Sequence, residues 1–369
     1  MKYILWIIRI VVAVLFIFSG LVKANDPLGL SYKMDEFFEV WGMHWMMPFS
    51  LVMSIAMIAF EIIAGVALLL GYAYRLFSFL LLALLVFFTF LTAYVLFSGK
   101  IKECGCFGDC IPLTPIQTFT KDIILLVMGI ILVMYRSRIQ PLVKGYAAPA
   151  VMILTVFFSV GIQLYALEHL PYHDCLPYKA GTNIIEDRKI PEGAIPDQYE
   201  SIMIYEKDGV QKEFTLQNYP WEDHTWVFVD RIDKLVKKGN AEPKIRDFII
   251  ADYDGNEYTD AILNAPGYSF LWFVRDTKKA RTDNMDELKA LIKAAQEAGV
   301  PFYILFSDNK DDAYAFMDKH DLQGEILVLD RTVSKTAMRS NPGLMLLEQG
   351  VIKGKWSFRD YPDASVIGK

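Results

Sequence analysis

The stretch Met47–Leu96, MPFSLVMSIAMIAFEIIAGVALLLGYAYRLFSFLLLALLVFFTFLTAYVL, determines the fold of the first half of the chain. It contains two apolar runs, Met47–Leu70 and Ala73–Leu96, which only Gly71 and Tyr72 separate. A helix needs about 20 mostly apolar residues to cross the hydrocarbon layer of a bilayer. Both runs are long enough, so the stretch predicts a transmembrane hairpin.

Three further runs have the same character: Tyr3–Val22, Ile116–Met134 and Ala148–Leu167. The first lacks a small-x-small cleavage site and is followed by the other runs, so we predict a retained helix and not a signal peptide. The 369 residues are 54% hydrophobic with a mean hydropathy of +0.28, yet the charge is concentrated after Leu170. We therefore predict a membrane half of five spans followed by a soluble half.

Positive charges predict the orientation, because cytoplasmic loops carry an excess of lysine and arginine. Such residues stand at the ends that we assign to the cytoplasm: Lys2, Arg9, Arg75, Arg136, Arg138 and Lys144. We expect Arg9 to snorkel toward the cytoplasm. The amino terminus then lies inside a bacterial cytoplasmic membrane, and loops 23–46 and 97–115 lie outside with everything after Leu167. The net charge of −6 and the absence of a basic run give no reason to expect a nucleic-acid partner.

Three of the four cysteines lie within the second outward loop, ECGCFGDC, Glu103–Cys110, and the fourth is Cys175. All four are predicted on the outer side, where disulfides persist. Zinc usually takes four tetrahedral ligands from paired residues. Only a meeting with Cys175 or His173 could complete such a set, and we predict no metal site.

Two interpretations of the cysteines stay open. Glycines allow a tight turn, so a Cys106–Cys110 or a Cys104–Cys110 disulfide could close within the loop. The remaining cysteine could then pair with Cys175 and brace the soluble domain. The alternative is thiol–disulfide exchange, which needs an attacking thiolate, a partner sulfur and a resolving thiol. Asp109 disfavours a thiolate at Cys110, which counts slightly against a reactive Cys110.

Glu61 lies in the middle of the span Met47–Leu70. An ionised side chain at that depth costs about 2.5–3.5 kcal/mol on insertion scales, so Glu61 should face the bundle and find a partner. It is either a packing residue or a proton or ligand site. Lys121 and Asp122, near the outer end of the fourth span, are interpreted as interface anchors.

In the soluble half, the runs Ile202–Glu206 and Gln211–Leu216 flank Asp208-Gly209 and predict a hairpin. Ile245–Asp252 and Glu257–Ile262 predict a second one. The runs that follow predict an alternation of strands and helices: Ser269–Val274, a helix from Asp283, Phe302–Phe306, Lys310–His320, Ile326–Leu329, Thr332–Arg339, Gly343–Leu347 and Val351–Trp356.

The membrane half resembles the DoxX/MauE group of bacterial membrane proteins over residues 4–135. The resemblance rests on FIFSGLVKANDP, Phe16–Pro27, on FEIIAGVALLLGYAYR, Phe60–Arg75, and on CGCFGD, Cys104–Asp109, followed by TPIQTFTKDIILL. MauE-type proteins are implicated in the maturation of methylamine dehydrogenase, so the resemblance implies a role in maturing exported proteins. The bundle is also similar to the four-helix core of vitamin K epoxide reductase relatives, which run disulfide chemistry against quinone. This chain has no Cys-x-x-Cys at a helix end, so we predict no cofactor, and a quinone is implied by this similarity alone.

Residues 240–357 resemble the thioredoxin family, whose strand–helix order they repeat. RSNPGLMLLEQGVIKGKW, Arg339–Trp356, looks like that family's ending, with Pro342 as its cis-proline. The family's Cys-x-x-Cys is missing, because the place after Ser269–Val274 reads Arg275-Asp276-Thr277-Lys278-Lys279. We therefore expect a binding or docking module there and not a thiol enzyme.

The predicted fold class is a four-helix membrane bundle with a fifth transmembrane helix, followed by a soluble α/β thioredoxin-like domain. The predicted segments are 1–140 for the four-helix domain, 141–170 for the fifth helix, 171–240 for a linker with a short β-hairpin region, and 241–369 for the thioredoxin-like domain. We expect an envelope accessory protein linked to thiol–disulfide redox or to the maturation of an exported client. Any enzymatic activity would then lie in the cysteine loop. The alternative is a non-enzymatic envelope protein that presents the redox-dead domain to a partner, with structural disulfides.

Overall fold

The computed structural model describes residues 2–101, 104–143, 145–195, 198–207, 209–215, 220, 223, 225–237, 239 and 241–368. Its first part is helical: α1 Lys2–Ala24, α2 Pro27–Val40, α3 Ser50–Leu70, α4 Tyr74–Ser98, α5 Pro115–Met134 and α6 Ala147–Glu168. Within the described residues, five helical segments are long and apolar enough to cross a membrane. They coincide with the predicted spans to within a few residues, which confirms the predicted membrane bundle.

Helix α3 lies at the centre of this bundle and contacts α1, α2, α4 and α6. Small residues let α1 approach it closely, since a Cβ added at Gly20 would lie 2.5 Å from Ile62 and one at Gly65 would lie 2.8 Å from Ile17. Close approach of small residues is how helices associate where lipid removes the hydrophobic drive. The four-helix packing is therefore set by side-chain size along α1 and α3.

Helix α2 was not predicted from the sequence. Asp26 caps it by accepting a hydrogen bond from the backbone N–H of Gly29 at 3.0 Å, and Pro27 occupies its first turn. Its buried residues recur at helical spacing: Ser31, Met34, Phe37 and Phe38. Because a glycine and four charged residues interrupt the apolar pattern, the stretch looks like a loop in the sequence, although it packs on α3.

Arg9 does not snorkel into the cytoplasm, contrary to the prediction. It is 2% exposed, and its Nε and Nη2 donate to the carbonyls of Leu68 and Leu69, both at 2.8 Å. Its Nη1 donates to the carbonyl of Gln140 at 3.0 Å. The last carbonyls of a helix have no intrahelical partner, so Arg9 satisfies the end of α3 and ties it to the loop after α5.

The soluble half begins with α7 Ile184–Asp187 and a three-stranded antiparallel sheet of order β2-β1-β3 among the described residues. Its strands are β1 Gln198–Lys207, β2 Val210–Thr215 and β3 Val227–Lys237. The predicted hairpin is therefore confirmed, although Asp208 in its turn and Leu216 at the end of its second run lie outside the described residues. The sequence did not predict the full length of β3, because charged residues fill its second half.

The next sheet has six strands in the described part of the chain, in the order β4-β7-β6-β5-β8-β9. Its elements are β4 Ile250–Ala251, α8 Thr259–Leu263, β5 Tyr268–Val274, α9 Met285–Glu297, β6 Phe302–Phe306, α10 Lys310–His320, β7 Glu325–Leu329, α11 Arg331–Ala337, β8 Gly343–Glu348 and β9 Val351–Ser357. The second predicted hairpin is confirmed only near its turn, where Ala251 and Glu257 form an antiparallel bridge, because residues 259–263 form α8. There the buried hydroxyl of Thr259 accepts from the backbone N–H of Ile250 at 2.9 Å and anchors the helix.

Strands β5, β6 and β7 are parallel, and β8 and β9 are antiparallel additions. Alternate residues of β5 supply two cores: Leu271 and Phe273 face α8 and α11, whereas Phe270 and Trp272 face α9 and α10. The Asn341–Pro342 peptide before β8 is cis, as predicted. Helices on both faces of this strand order define a thioredoxin-like fold, which confirms the predicted fold class.

We predict that Gly71→Ala destabilises the bundle by about 2–5 kcal/mol, because a left-handed backbone costs about 1–2 kcal/mol without glycine and overpacking costs about 1–3 kcal/mol. Gly71 has φ +74°, and its added Cβ would lie 2.7 Å from Arg9 Nη2 and 2.8 Å from Pro141 Cα. Gly99 is the matched control, since it has φ +62° with open space around it. Thermal unfolding in detergent should show a clearly smaller loss for Gly99→Ala, and equal losses would contradict the role of the Arg9 contact.

Candidate functional site

The cysteine loop lies between α4 and α5 and rests on α1 and α2. Gly105 and Gly108 have φ of +72° and +58°, a region that favours glycine, and the N–H of Gly108 donates to the carbonyl of Gly105 at 3.0 Å. A Cβ at Gly105 would come within 3.1 Å of Lys33 Cγ. The glycines therefore turn the loop back onto the bundle.

The four cysteines fall into two pairs. Cys110 and Cys175 form a disulfide with their Cα atoms 4.8 Å apart, whereas Cys104 and Cys106 are thiols whose sulfurs lie 3.5 Å apart. Both predicted pairings within the loop, Cys106–Cys110 and Cys104–Cys110, are therefore wrong in this structure. The reason lies in the partner segment, since Asn25 holds the backbone of His173 through two hydrogen bonds of 2.8 and 3.0 Å and so presents Cys175 to Cys110.

A buried polar chain supports Cys106 from beneath. The hydroxyl of Ser19 lies 3.1 Å from the Cys106 carbonyl and 3.1 Å from Glu61 Oε2. Glu61 is fully buried, and its other oxygen pairs with Lys23 Nζ at 2.5 Å. Glu61 thus faces the bundle and has a partner, as expected, and it links α1, α3 and the cysteine loop.

Lys121 and Asp122 are not both anchors at the interface. Asp122 is 1% exposed, and its Oδ1 pairs with Lys121 at 2.7 Å. Its buried Oδ2 finds no hydrogen-bond partner among the described residues. The spacing Thr118, Asp122, Leu125 follows one helix face. This spacing is visible in the sequence, whereas the interpretation as interface anchors rested only on the distance from the end of the span.

The two thiols of the pair differ in the direction of their pKa shifts. The hydrogen bond with Cys104 lowers the pKa of Cys106, and the cations Lys121 and Lys23 act in the same direction against burial. The same hydrogen bond, followed by burial, raises the pKa of Cys104. Of the two thiols, Cys106 is therefore the one that loses its proton more readily.

Two cavities meet at this pair. The first, of about 570 Å³ including its open side, has Cys104 and Cys106 in its wall. The rest of that wall is mainly apolar and aromatic, and includes Met34, Phe37, Trp41, Met57, Phe88 and Leu91. The second, of about 360 Å³, brings Cys106 together with the charged groups Lys23, Glu61, Lys121 and Asp122. Cys106 thus lies between an apolar space and a buried charged one.

The thioredoxin-like domain packs over the loop with the face where its relatives hold Cys-x-x-Cys. Arg275 follows β5, and its N–H donates to Asn341 Oδ1 at 2.9 Å. The side chains of Arg275, Lys335 and Arg339 surround the ring of Tyr32 on α2 at 5.6, 4.8 and 5.4 Å. The expected docking module therefore docks onto the chain's own membrane half.

Two buried cations complete this contact. Arg339 pairs with Asp26 at 2.7 Å and with Asp109 at 2.8 Å, and Lys355 of β9 pairs with Asp174 at 2.6 Å. Each cation's side chain is 6% exposed. Burial lowers the pKa of Lys355, although Asp174 opposes the shift. The domain is thus held over the cysteines by charge pairs in a desolvated interface.

The chain has membrane-spanning helices, a cysteine loop on the bundle and a docked thioredoxin-like domain. These features define a multi-pass membrane protein whose cysteines either carry out disulfide chemistry or stabilise the structure. Residues 1–135 match the family described as "Methylamine utilisation protein MauE". This part of the chain is a MauE-family domain, as the resemblance over residues 4–135 implied. Residues 199–238, which hold the small sheet, match a family described as "Domain of unknown function (DUF8463)".

The chain is similar to "Protein TlpB" of Flavobacterium psychrophilum, with 26% identity over 158 residues. This match covers 42% of the chain and 43% of that relative, so it spans less than half of either protein. A solved structure, a thio-disulfide isomerase from Thermus thermophilus, aligns with 33% of this chain and 89% of its own at 18% identity and a TM-score of 0.25.

We predict that Cys106 alkylates faster at neutral pH than an ordinary thiol, because its lowered pKa raises the thiolate fraction. The reactivity should be present above this lowered pKa and disappear as the pH falls through it. Lys121→Met should move the midpoint of the pH–rate profile upward by about 1 unit. Iodoacetamide labelling followed by peptide mass spectrometry measures the rate at each cysteine.

The exposed Lys100 is the matched control for Lys121. Lys100→Met removes a charge of the same sign from the start of the loop that holds the cysteines and should leave the profile unchanged. An unchanged midpoint in Lys121→Met would refute the proposed stabilisation of the thiolate.

Proposed function

We propose that this protein exchanges thiols and disulfides with exported proteins at the outer face of a bacterial cytoplasmic membrane, through Cys104 and Cys106. The thiol pair 3.5 Å apart, with the pKa of one member lowered, is the observation that carries the proposal. A purely structural cysteine pair needs no difference in pKa between its two sulfurs, whereas exchange depends on such a difference. The MauE-family domain supports a role in maturation, with the client a cysteine-containing exported protein.

The proposed location has the amino terminus in the cytoplasm and the cysteine loop outside. Two observations support it: the arginine and lysine bias of the opposite ends, and the Cys110–Cys175 disulfide, which persists in an oxidising compartment.

Exchange with a client proceeds in two steps. In the disulfide form, a client thiolate attacks Cys104, and Cys106 leaves with the bonding electron pair, because the thiol of lower pKa leaves faster. The second client thiolate then attacks the client sulfur of this mixed disulfide, and Cys104 leaves and takes up a proton. The client has lost two electrons and two protons and holds a disulfide, and the chain holds the thiol pair seen here.

Re-oxidation of the pair needs a two-electron acceptor, and we propose a lipid-soluble quinone for it. A quinone supplies this chemistry because it takes two electrons and two protons and becomes a quinol. The cavity beside Cys104 and Cys106 has the mainly apolar and aromatic lining that is typical of small-molecule sites. Trp41 and Phe37 would hold the ring, and the exposed Phe87 in the same wall opens the cavity toward lipid.

We predict that Cys104→Ser and Cys106→Ser each slow the oxidation of a synthetic dithiol peptide by the detergent-purified, oxidised protein at least 100-fold. The cause is the loss of the exchanging disulfide, and mass spectrometry of the peptide measures the rate. The control is the double variant Cys110→Ser with Cys175→Ser, which keeps Cys104 and Cys106 and should exchange at least as fast as the natural chain. Full activity in either single variant would overturn the proposal and favour the non-enzymatic alternative.

We predict that Met57→Trp, which fills the apolar cavity, slows quinol formation from the reduced protein and a short-chain quinone at least tenfold. Ultraviolet absorbance follows the quinol. Val52→Trp on the same helix is the control, because Val52 is 66% exposed and lies outside the cavity wall. Equal rates in the two variants would exclude the cavity as the acceptor site, whereas exchange with the peptide should survive in both.

A further inference from the structure

The disulfide joins two copies of the same dipeptide. Asp109 precedes Cys110 and Asp174 precedes Cys175, so a carboxylate residue stands directly before each of the two linked sulfurs. Each carboxylate receives a buried cation from the thioredoxin-like domain: Arg339 for Asp109 and Lys355 for Asp174. The disulfide and the docking contact therefore share the same two short segments of chain.

We propose that the Cys110–Cys175 disulfide is a redox latch, whose reduction by a dithiol releases the thioredoxin-like domain from the membrane half and uncovers the cysteine loop. This proposal rests on the proposed exchange function and names its regulation. The domain acts as a lid while the disulfide is closed.

The physical basis is the sensitivity of buried ion pairs to the loss of one partner. Arg339 and Lys355 are each 6% exposed at their side chains, so each depends on its carboxylate staying in place. Without the disulfide, the loop before α5 and the segment after α6 are no longer cross-linked. Movement of Asp174 leaves the buried Lys355 unpaired, and movement of Asp109 removes one of the two carboxylates that pair with Arg339. The return of Lys355 to water then favours an open domain.

Lys355 supplies a second reason. Burial lowers its pKa even beside Asp174, which means that the ion pair does not fully offset desolvation. Arg339 is held more firmly, because Asp26 on the amino-terminal cap of α2 remains its partner after reduction.

The reducing step is an ordinary exchange between a dithiol and this disulfide. One thiolate of the dithiol attacks Cys110 or Cys175, and the other cysteine leaves with the bonding pair. The second thiolate of the dithiol attacks the mixed disulfide and releases the first cysteine. The dithiol becomes a disulfide, its two protons pass to Cys110 and Cys175, and two electrons have moved. A reduced client or the Cys104–Cys106 pair belongs to the required class of reductant.

Hydrogen exchange of the full chain in detergent micelles, with and without a water-soluble phosphine reductant, tests this latch. The chain carries Cys104→Ser and Cys106→Ser, so the result does not depend on exchange activity, and a failure of the proposed function stays distinguishable. Reduction should raise amide exchange at least tenfold in residues 335–343 and around Tyr32. Residues 268–274 of the central strand should keep their protection.

Two variants distinguish release of the thioredoxin-like domain from its unfolding. Lys355→Met should raise the same exchange rates in the oxidised protein, whereas Lys353→Met should not. Lys353 is two residues away on the same strand, but it is exposed and pairs with Glu348. Complete reduction without faster exchange in residues 335–343 would overturn the latch. Equal loss of protection in residues 268–274 would also overturn it, because it would show unfolding of the domain and not its release.

Discussion

The buried ion pair between Lys23 and Glu61 is the constraint on which the rest of the site depends. Charged groups inside an apolar bundle are expensive and must be paired. Glu61 on α3 meets Lys23 at the carboxyl-terminal end of α1, and Ser19 extends the pair to the carbonyl of Cys106. The helix contact and the position of the cysteine loop are thereby set by one group of hydrogen bonds.

The same pair shapes the chemistry of the thiols. Lys23 and Lys121 stand behind Cys106, and with Asp122 and Glu61 they form a buried cluster of two cations and two carboxylates. The hydrogen bond between the two sulfurs lowers the pKa of Cys106 and raises that of Cys104. The cations Lys121 and Lys23 add to the lowering at Cys106, so the asymmetry of the two sulfurs follows first from their hydrogen bond and then from the charged cavity.

The thioredoxin-like domain has exchanged a reactive face for a docking face. Where its relatives carry Cys-x-x-Cys, this chain places Arg275, and the loop before Pro342 carries Arg339. Both cations face Tyr32, and Arg339 also binds Asp26 and Asp109. The four cysteines lie in the membrane half and in the segment after α6, and the thioredoxin-like domain, which contains none of them, covers the cysteine loop.

The cis-proline at Pro342 was implied by the resemblance to the thioredoxin family. Local pattern was enough to determine the spans and the succession of strands and helices from β5 to β9, because apolar periodicity and turn residues act over a few neighbours. It was also enough to require a partner for Glu61. The pairing of Cys110 with Cys175, the burial of Asp122 and Arg9, and the helix α2 were decided only by the tertiary structure. Each of these depends on segments far apart in the chain, such as Asn25 holding His173, and no residue pattern within one segment records which distant partner will satisfy a buried charge or a sulfur.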